Sequence, residues 1–333
     1  MIKAIHFKNY KALRDTTLPL GRLTLLIGPN GSGKSTALGA IRLPRLALKD
    51  SAFTAGVAAE DAEMKVEVEW AGTFSGMRSH LWRRRNEGQS FEQTDEKGAK
   101  LTEPNHKELA GILMAARVYA LDAGQVAAPV ELVPDAQLTP TGARLAVVLD
   151  RLRDGSPERF EALNEELGRW IPEYDRILFD TPSEGHRAIK LRTREGHHKI
   201  AAADISQGTL LALAILTLAY LPDPPPILGL EEPGRGIHPR LLRQVKDAMC
   251  RLAYPEAFGE QRKPVQVVAT THSPYMLDLF REHPEEIVIA NKVEGNVQFE
   301  RLIDQPNIKE ILGDAPLGEV WYTGILGGVP THK

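Results

Sequence analysis

The chain has 333 residues, enough to bury a sizeable core as one large domain or two lobes. Its 42% apolar and 26% charged residues point away from wholesale disorder and from a membrane protein, and a net charge of −3 argues against an all-over basic nucleic-acid binder while leaving room for a local basic groove. The single cysteine, Cys250, excludes an intramolecular disulfide and a Cys-rich zinc site, and fits a reducing compartment.

The opening MIKAIHFKNYK lacks the apolar core of a signal peptide. The longest apolar run, Thr209 to Leu221, falls short of the roughly 20 residues that cross a bilayer. A soluble, cytoplasmic protein with no membrane partner is the expectation. The first forty residues read as strand, turn, strand, loop, helix, with a weak period-2 pattern over Ile2 to Phe7 and a buried strand over Leu23 to Ile27. The helix after Lys34 should break near Pro44. Lys65 to Trp70 alternates charged and apolar residues, and Met77 to Glu92 supplies candidate antiparallel neighbours around Gly88. Asn105 to Trp170 is helix-prone, and Arg187 to Ile200 reads as a hairpin turning at Glu195 and Gly196. Three α/β elements follow Asp204, with Pro222 to Pro226 a stiff connection into a strand. Neither internal repeats nor sustained heptads occur between Thr36 and Asp204, so no long coiled-coil arm is expected.

Four motifs carry chemistry. Gly28, Pro29, Asn30, Gly31, Ser32, Gly33, Lys34, Ser35 and Thr36 satisfy G-x-x-x-x-G-K-[ST] between a predicted strand and a predicted helix. The glycines let backbone N–H groups approach phosphates, Lys34 reaches the β- and γ-phosphates, and the Ser35 hydroxyl is a Mg²⁺ ligand, so ATP and Mg²⁺ are the expected cofactors. The apolar strand Ile227 to Leu230 runs into Glu231 and Glu232, which alternation along a strand would turn toward different partners. Glu231 is placed to hold a Mg²⁺-bound water and Glu232 to deprotonate the attacking water. The strand Pro264 to Thr271 ends in His272-Ser273-Pro274, where His272 can bond a γ-phosphate or the attacking water. In DISQGT, Ser206 and Gly208 occupy a short polar turn before the apolar helix from Thr209.

Three further groups have ordinary readings beside functional ones. Trp82 with Arg83, Arg84 and Arg85 is either a nucleic-acid contact or a solvated hairpin edge. His197 and His198 lack acidic or Cys partners at ligand spacing. Arg235 is either a nucleotide sensor across a dimer interface or a loop salt bridge.

The order P-loop, S-Q-G-T, apolar-E-E-P, T-H-S-P resembles ABC-type ATPase heads, and within them the RecF, SMC and OLD group. FKNYKAL (Phe7 to Leu13), EEPGRGIHP, TTHSPYMLD and LGEVWYTGILGG (Leu317 to Gly328) carry the likeness over nearly the whole chain, with a loose match in the middle. The resemblance implies an α/β P-loop NTPase with a mixed sheet core, an antiparallel β subdomain and a helical lobe. It would be one ATPase domain with core segments 1–50 and 204–300, insertions over about 51–203 and a tail from 301 to 333. It also implies an ATP-dependent homodimer in which Ser206 and Gly208 complete the partner's site, with His238 at the D-loop position. Gln207 and Thr209 depart from S-G-G-Q, Glu231 replaces the commoner Asp, and the Q-loop glutamine is open among Gln89, Gln93 and Gln125. No acidic cluster resembling a Toprim nuclease follows His272. The expected activity is ATP hydrolysis driving a switch in DNA repair or maintenance. The alternatives are the ATPase of a phage-defence or toxin system with a separately encoded effector and, further off, a transporter subunit.

Overall fold

Along the chain the first elements are β1 (Ile2–Tyr10), β2 (Leu13–Pro19), β3 (Leu23–Ile27), α1 (Lys34–Ala40), β4 (Met64–Trp70), β5 (Arg78–Arg84), β6 (Gly88–Thr94) and α2 (Glu103–Ala115). The middle holds β7 (Arg117–Tyr119), α3 (Ala123–Ala127), β8 (Val130–Glu131), α4 (Leu145–Gly155), α5 (Pro157–Trp170), β9 (Tyr174–Asp180), β10 (His186–Thr193), β11 (Lys199–Ala201) and α6 (Gln207–Tyr220). The last third adds β12 (Ile227–Leu230), α7 (Leu242–Ala253), β13 (Gln266–Thr271), α8 (Pro274–Asp278), β14 (Ile287–Val293), β15 (Asn296–Arg301) and α9 (Leu317–Tyr322). This computed structural model describes residues 1–43, 45, 63–84, 88–293, 295–306, 308, 312–313, 316–324 and 326, with the backbone alone at 83, 84, 88 and 89. Among them no helix is long and apolar enough to cross a membrane. The expected break at Pro44 lies outside the described residues.

The chain divides into two compact units, the first formed by Met1–Val118, Pro225–Glu231 and Ala253–Lys333. Its antiparallel sheet has the order β2-β1-β4-β5-β6. The β1–β2 hairpin adds a strand that the sequence reading missed. Leu13 and Leu18 are its buried anchors, but the polar RDTT between them hides the alternation. The predicted partners of β4 around Gly88 pair as expected, Leu81 opposite Val66 and Phe91 opposite Leu81. Inward side chains such as Ile5, Phe7, Val66 and Trp70 form one core with Leu26, Leu38, Val268 and Val288, each large one contributing about 1.5–3 kcal/mol by leaving water.

The second sheet has the order β15-β14-β3-β13-β12-β7. Strands β12, β13, β3 and β14 are parallel neighbours, and β15 returns antiparallel to β14. Parallel strands covered on both faces favour apolar residues, and LTLLI and VVATT are fully buried, with Thr24, Thr270 and Thr271 as their buried hydroxyls. One buried amide joins the two sheets. Gln266 Oε1 accepts from the Ile2 N–H at 2.8 Å, and Gln266 Nε2 donates to the Ile2 and Gly21 carbonyls at 2.6 and 2.8 Å.

The second unit is Tyr119–Pro224 with Glu232–Leu252. Its strands run β11-β10-β8, with β9 also on β10. The 187–200 hairpin forms as predicted, whereas β9 was unforeseen. Helix α5 packs on β9, where buried Asn164 accepts from the Ile177 N–H at 2.7 Å and donates to the Phe160 carbonyl at 3.0 Å. Helix α6 is buried along nearly its whole length, and Thr217 satisfies its hydroxyl on the Leu213 carbonyl at 2.8 Å.

On the outer face of the antiparallel sheet Glu67 meets Lys65 at 2.7 Å, Arg78 at 2.8 Å and His80 at 3.2 Å. Burial pushes the Glu67 carboxyl up, but the Lys65 hydrogen bond and charge, with His80 and Arg78, hold it below its ordinary value. Burial also dominates at His80 and lowers its value despite the Glu67 and Glu92 charges. Both folded values lie below the unfolded ones, so both contributions are present above the unfolded value and are lost as pH falls through the folded one.

Two outcomes follow. Gln266→Leu strands the Ile2 and Gly21 backbone groups and should cost about 2–4 kcal/mol in urea unfolding. Thermal stability should decline as pH drops below about 6.5 and again below about 4.5. The first decline should vanish in His80→Gln, measured by melting temperature against pH.

Candidate functional site

The loop between β3 and α1 is held by backbone contact. Gly28 has φ 149° and stands so close to β14 that a Cβ would lie 2.4 Å from the Ala290 carbonyl oxygen and 2.9 Å from Ser32 Oγ. Gly33, at φ 85°, caps α1 in the left-handed region, with Leu13 2.9 Å from where its Cβ would be. Lys34 is buried, its Nζ donating to the Gly28 and Pro29 carbonyls at 2.8 and 3.0 Å. The ammonium thus folds back over the loop that its own glycines shape. Ser32 Oγ is buried with no hydrogen-bond partner among the described residues. A buried hydroxyl left so costs about 1–3 kcal/mol, which an oxyanion on the loop would relieve.

The parallel register sets the neighbours of this loop. Ile27 stands opposite Thr271, so Gly28 and His272 leave adjacent strands at one level. Leu230 stands opposite Ala269, which brings the end of β12 to the same edge. With strands about 4.8 Å apart, three chain segments emerge side by side there. His272 is exposed in the turn between β13 and α8. That turn is fixed by Ser273, whose N–H donates to Thr271 Oγ1 at 3.0 Å and whose Oγ caps α8 by accepting from the Met276 N–H at 3.3 Å.

Glu231 and Glu232 do not continue the pleat as the sequence reading supposed. β12 ends at Leu230, and Glu232 adopts φ 46°, a left-handed conformation rare for a side chain with a Cβ. The chain reverses there, the Arg235 N–H donating to the Glu232 carbonyl at 2.9 Å. Both acidic residues thus lie beyond the strand, and Glu232 opens the turn. Ser35 is exposed and Glu231 half-buried, both in the first unit. A hydroxyl and a carboxylate form an oxygen-only donor pair that suits Mg²⁺, which characteristically takes one or two protein oxygens and completes its shell with phosphates and water.

In the second unit Ser206 is the N-cap of α6. Its Oγ accepts from the Thr209 N–H at 3.3 Å and donates to Thr209 Oγ1 at 2.9 Å. Thr209, a departure from the signature pattern, is thereby tied into the cap. Gly208 lies inside the first turn of α6, not before it, and its Cα faces the loop after Glu232: a Cβ would be 2.7 Å from the Gly236 carbonyl oxygen. Sequence reasoning singled out both segments but not this contact, whose only trace is a glycine at each position. His238 caps the next turn, its Nδ1 accepting from the Arg240 N–H at 3.2 Å.

The remaining candidates have these surroundings. Gln93 is interior to its sheet, donating to Ser79 Oγ at 3.0 Å, while Gln125 is exposed on α3 and the side chain of Gln89 is outside the description. Trp82 tilts against His80 with centroids 5.9 Å apart; Arg85 and the side chains of Arg83 and Arg84 lie outside the described residues. His197 and His198 join no cluster of three or more His, Cys, Asp or Glu among the described residues.

A family model described as "AAA domain, putative AbiEii toxin, Type IV TA system" matches residues 23–278. Among curated proteins, the OLD nuclease of Thermus scotoductus (strain ATCC 700910 / SA-01) is 54% identical over 43 residues, 13% of this chain and 8% of that protein. The chain thus matches less than a tenth of that relative's length. Among solved structures, an SMC head bound to the C-terminal winged-helix domain of ScpA superposes with TM-score 0.63 at 14% identity, covering 90% of this chain and 97% of that one. The SMC head domain from Thermotoga maritima gives TM-score 0.51 at 15% identity over 90% and 98%.

Gly28→Ala forces a Cβ onto the Ala290 carbonyl and should lower stability by about 1–3 kcal/mol. Fluorescent ATP-analogue titration should show nucleotide binding reduced at least tenfold at a temperature where the variant is still folded.

Proposed function

The chain belongs to this AAA-domain family and is a P-loop ATPase of the RecF, SMC and OLD type, and from that premise we propose that it is a nucleotide-driven switch. ATP joins two copies head to tail and hydrolysis parts them. The single observation that carries the reading is the parallel register that brings the ends of β3, β13 and β12 to one edge.

In this reading Gly28 to Thr36 cradles the triphosphate, and Lys34 exchanges its loop carbonyls for the β- and γ-phosphate oxygens. Ser35 would hold Mg²⁺ directly and Glu231 through water, and the ion would supply charge neutralisation to those phosphates. Glu232 accepts a proton from the attacking water as the water oxygen bonds to the γ-phosphorus and the bond to the β-phosphate bridging oxygen breaks, leaving ADP and phosphate. The left-handed backbone at Glu232 fixes where its carboxylate starts from. His272 bonds the γ-phosphate or the water and reports its loss to α8. Ser206 and Gly208 close over the nucleotide of the second copy.

Two readings of what the switch controls draw support from its relatives. A role in DNA repair or maintenance rests on the likeness to SMC heads and to an OLD nuclease. The second reading, an ATPase within a toxin or anti-phage system beside a separate effector, rests on the family's description as an AbiEii-type toxin. Salt-sensitive stimulation of turnover by DNA supports the first; copurification with the product of an adjacent gene, without such stimulation, supports the second.

Glu232→Gln should keep ATP affinity, lower turnover on the order of 10²–10⁴-fold and trap a dimer in Mg-ATP. A variant that stays monomeric at saturating nucleotide in sedimentation would sink the dimer reading.

A further inference from the structure

The loop after Glu232 reads Pro-Gly-Arg-Gly-Ile-His-Pro-Arg, with Arg235, His238 and Arg240 all exposed. Such loops commonly pair their cations with nearby acids, yet among the described residues no carboxylate forms an ion pair with Arg235 or Arg240. The backbone under Arg235 is far from loose. Its N–H is bonded to the Glu232 carbonyl at 2.9 Å, the Ile237 N–H bonds the Gly234 carbonyl at 3.2 Å, and Gly236 takes φ 73°. The Gly236 carbonyl is then pressed against the Cα of Gly208, in the first turn of the helix that Ser206 caps. An unpaired guanidinium is therefore held on a fixed turn, three residues from Glu232 and adjoining the Ser206–Gly208 turn.

We propose that Arg235 contacts the γ-phosphate of the ATP held by a second copy of this chain and stabilises the charge that develops there during hydrolysis. The inference rests on the head-to-tail dimer proposed above. If Ser206 and Gly208 face the partner's triphosphate, the turn that carries Arg235 borders it, because the Gly236 carbonyl lies against Gly208. A guanidinium suits the task better than an ammonium: it is always charged and its planar fork can bond two phosphoryl oxygens at once. Arginines supplied in trans to transferring phosphoryl groups typically raise turnover on the order of 10³–10⁵-fold. Flanking glycines leave the side chain unobstructed, and the exposed position means that it contributes little to folding.

Turnover of full-length Arg235→Ala and Arg235→Lys gives the first arm. Arg235→Ala should lose on the order of 10³-fold in kcat with little change in KM or melting temperature, and Arg235→Lys should recover part of it. Mixing Arg235→Ala with Glu232→Gln gives the second. In the mixed dimer one site combines the intact Glu232 of the first chain with the intact Arg235 of the second, so turnover should reappear although each variant alone is nearly silent. Wild-type kcat in Arg235→Ala overturns the proposal, as does the absence of recovery on mixing, which would place the arginine in its own chain's site. Unchanged basal turnover with lost DNA stimulation would make the loop a nucleic-acid contact and overturn it as well. Failure of Glu232→Gln alone to dimerise would instead strike the underlying switch reading.

Discussion

The parallel hydrogen-bond register between β3, β13 and β12 is the constraint on which the rest depends. Parallel strands joined by long crossovers can lie in any order, but once paired they must end on one side of the sheet. Residues separated by about two hundred positions thereby share an edge: the glycine loop follows Ile27, His272 follows Thr271 and Glu231 follows Leu230. A slip of one residue in either pairing would move a strand end by about 3.3 Å, more than the tolerance of any hydrogen bond to a phosphate oxygen. The fully buried strands and the Gln266 amide guard that register. Gln266 bonds Ile2 and Gly21 with its side chain, and its own N–H is committed to the Pro226 carbonyl at 2.9 Å.

Within each unit the chain is also positioned by backbone against backbone. Gly28 lies against the Ala290 carbonyl, Gly208 against the Gly236 carbonyl and Gly318 against Pro274, each where a Cβ would come within 2.7 Å or less. Contacts of this kind leave no rotamer freedom, so they fix loops more tightly than side-chain packing does. The third also ties α9 to the helix that follows His272, with the Gly318 N–H donating to Asp278 at 2.7 Å. A change at His272 therefore has a packed route to the last described helix. Glu232 adds local strain of about 1–3 kcal/mol through its left-handed backbone, which the Arg235 hydrogen bond and the Gly208 contact offset.

Much of this was legible in the amino-acid order, and the exceptions share a cause. The P-loop needs glycines and a lysine at fixed spacing because its geometry is local, so Gly28 to Thr36 could be read directly. The strands β3, β12 and β13 were legible because a strand buried on both faces is predominantly apolar. The β1–β2 hairpin was obscured because much of β2 faces solvent with Arg14, Asp15 and Thr17, and β9 because its alternation is incomplete. The expected alternation of Glu231 and Glu232 does not apply, because β12 stops at Leu230 and Glu232 is left-handed at the head of a turn.

The sequence by itself determined the P-loop chemistry, the α/β class and the order of the motifs, since each rests on residues close along the chain or on periodicity. Only the tertiary structure decided which side chains stand together. It curled Lys34 onto the Gly28 and Pro29 carbonyls, left Ser32 Oγ buried without a partner, turned Glu232 left-handed and set Gly208 against Gly236. These are long-range or strained contacts whose energies depend on strand register and on backbones too close to admit a Cβ between them, and neither quantity is written in local propensity.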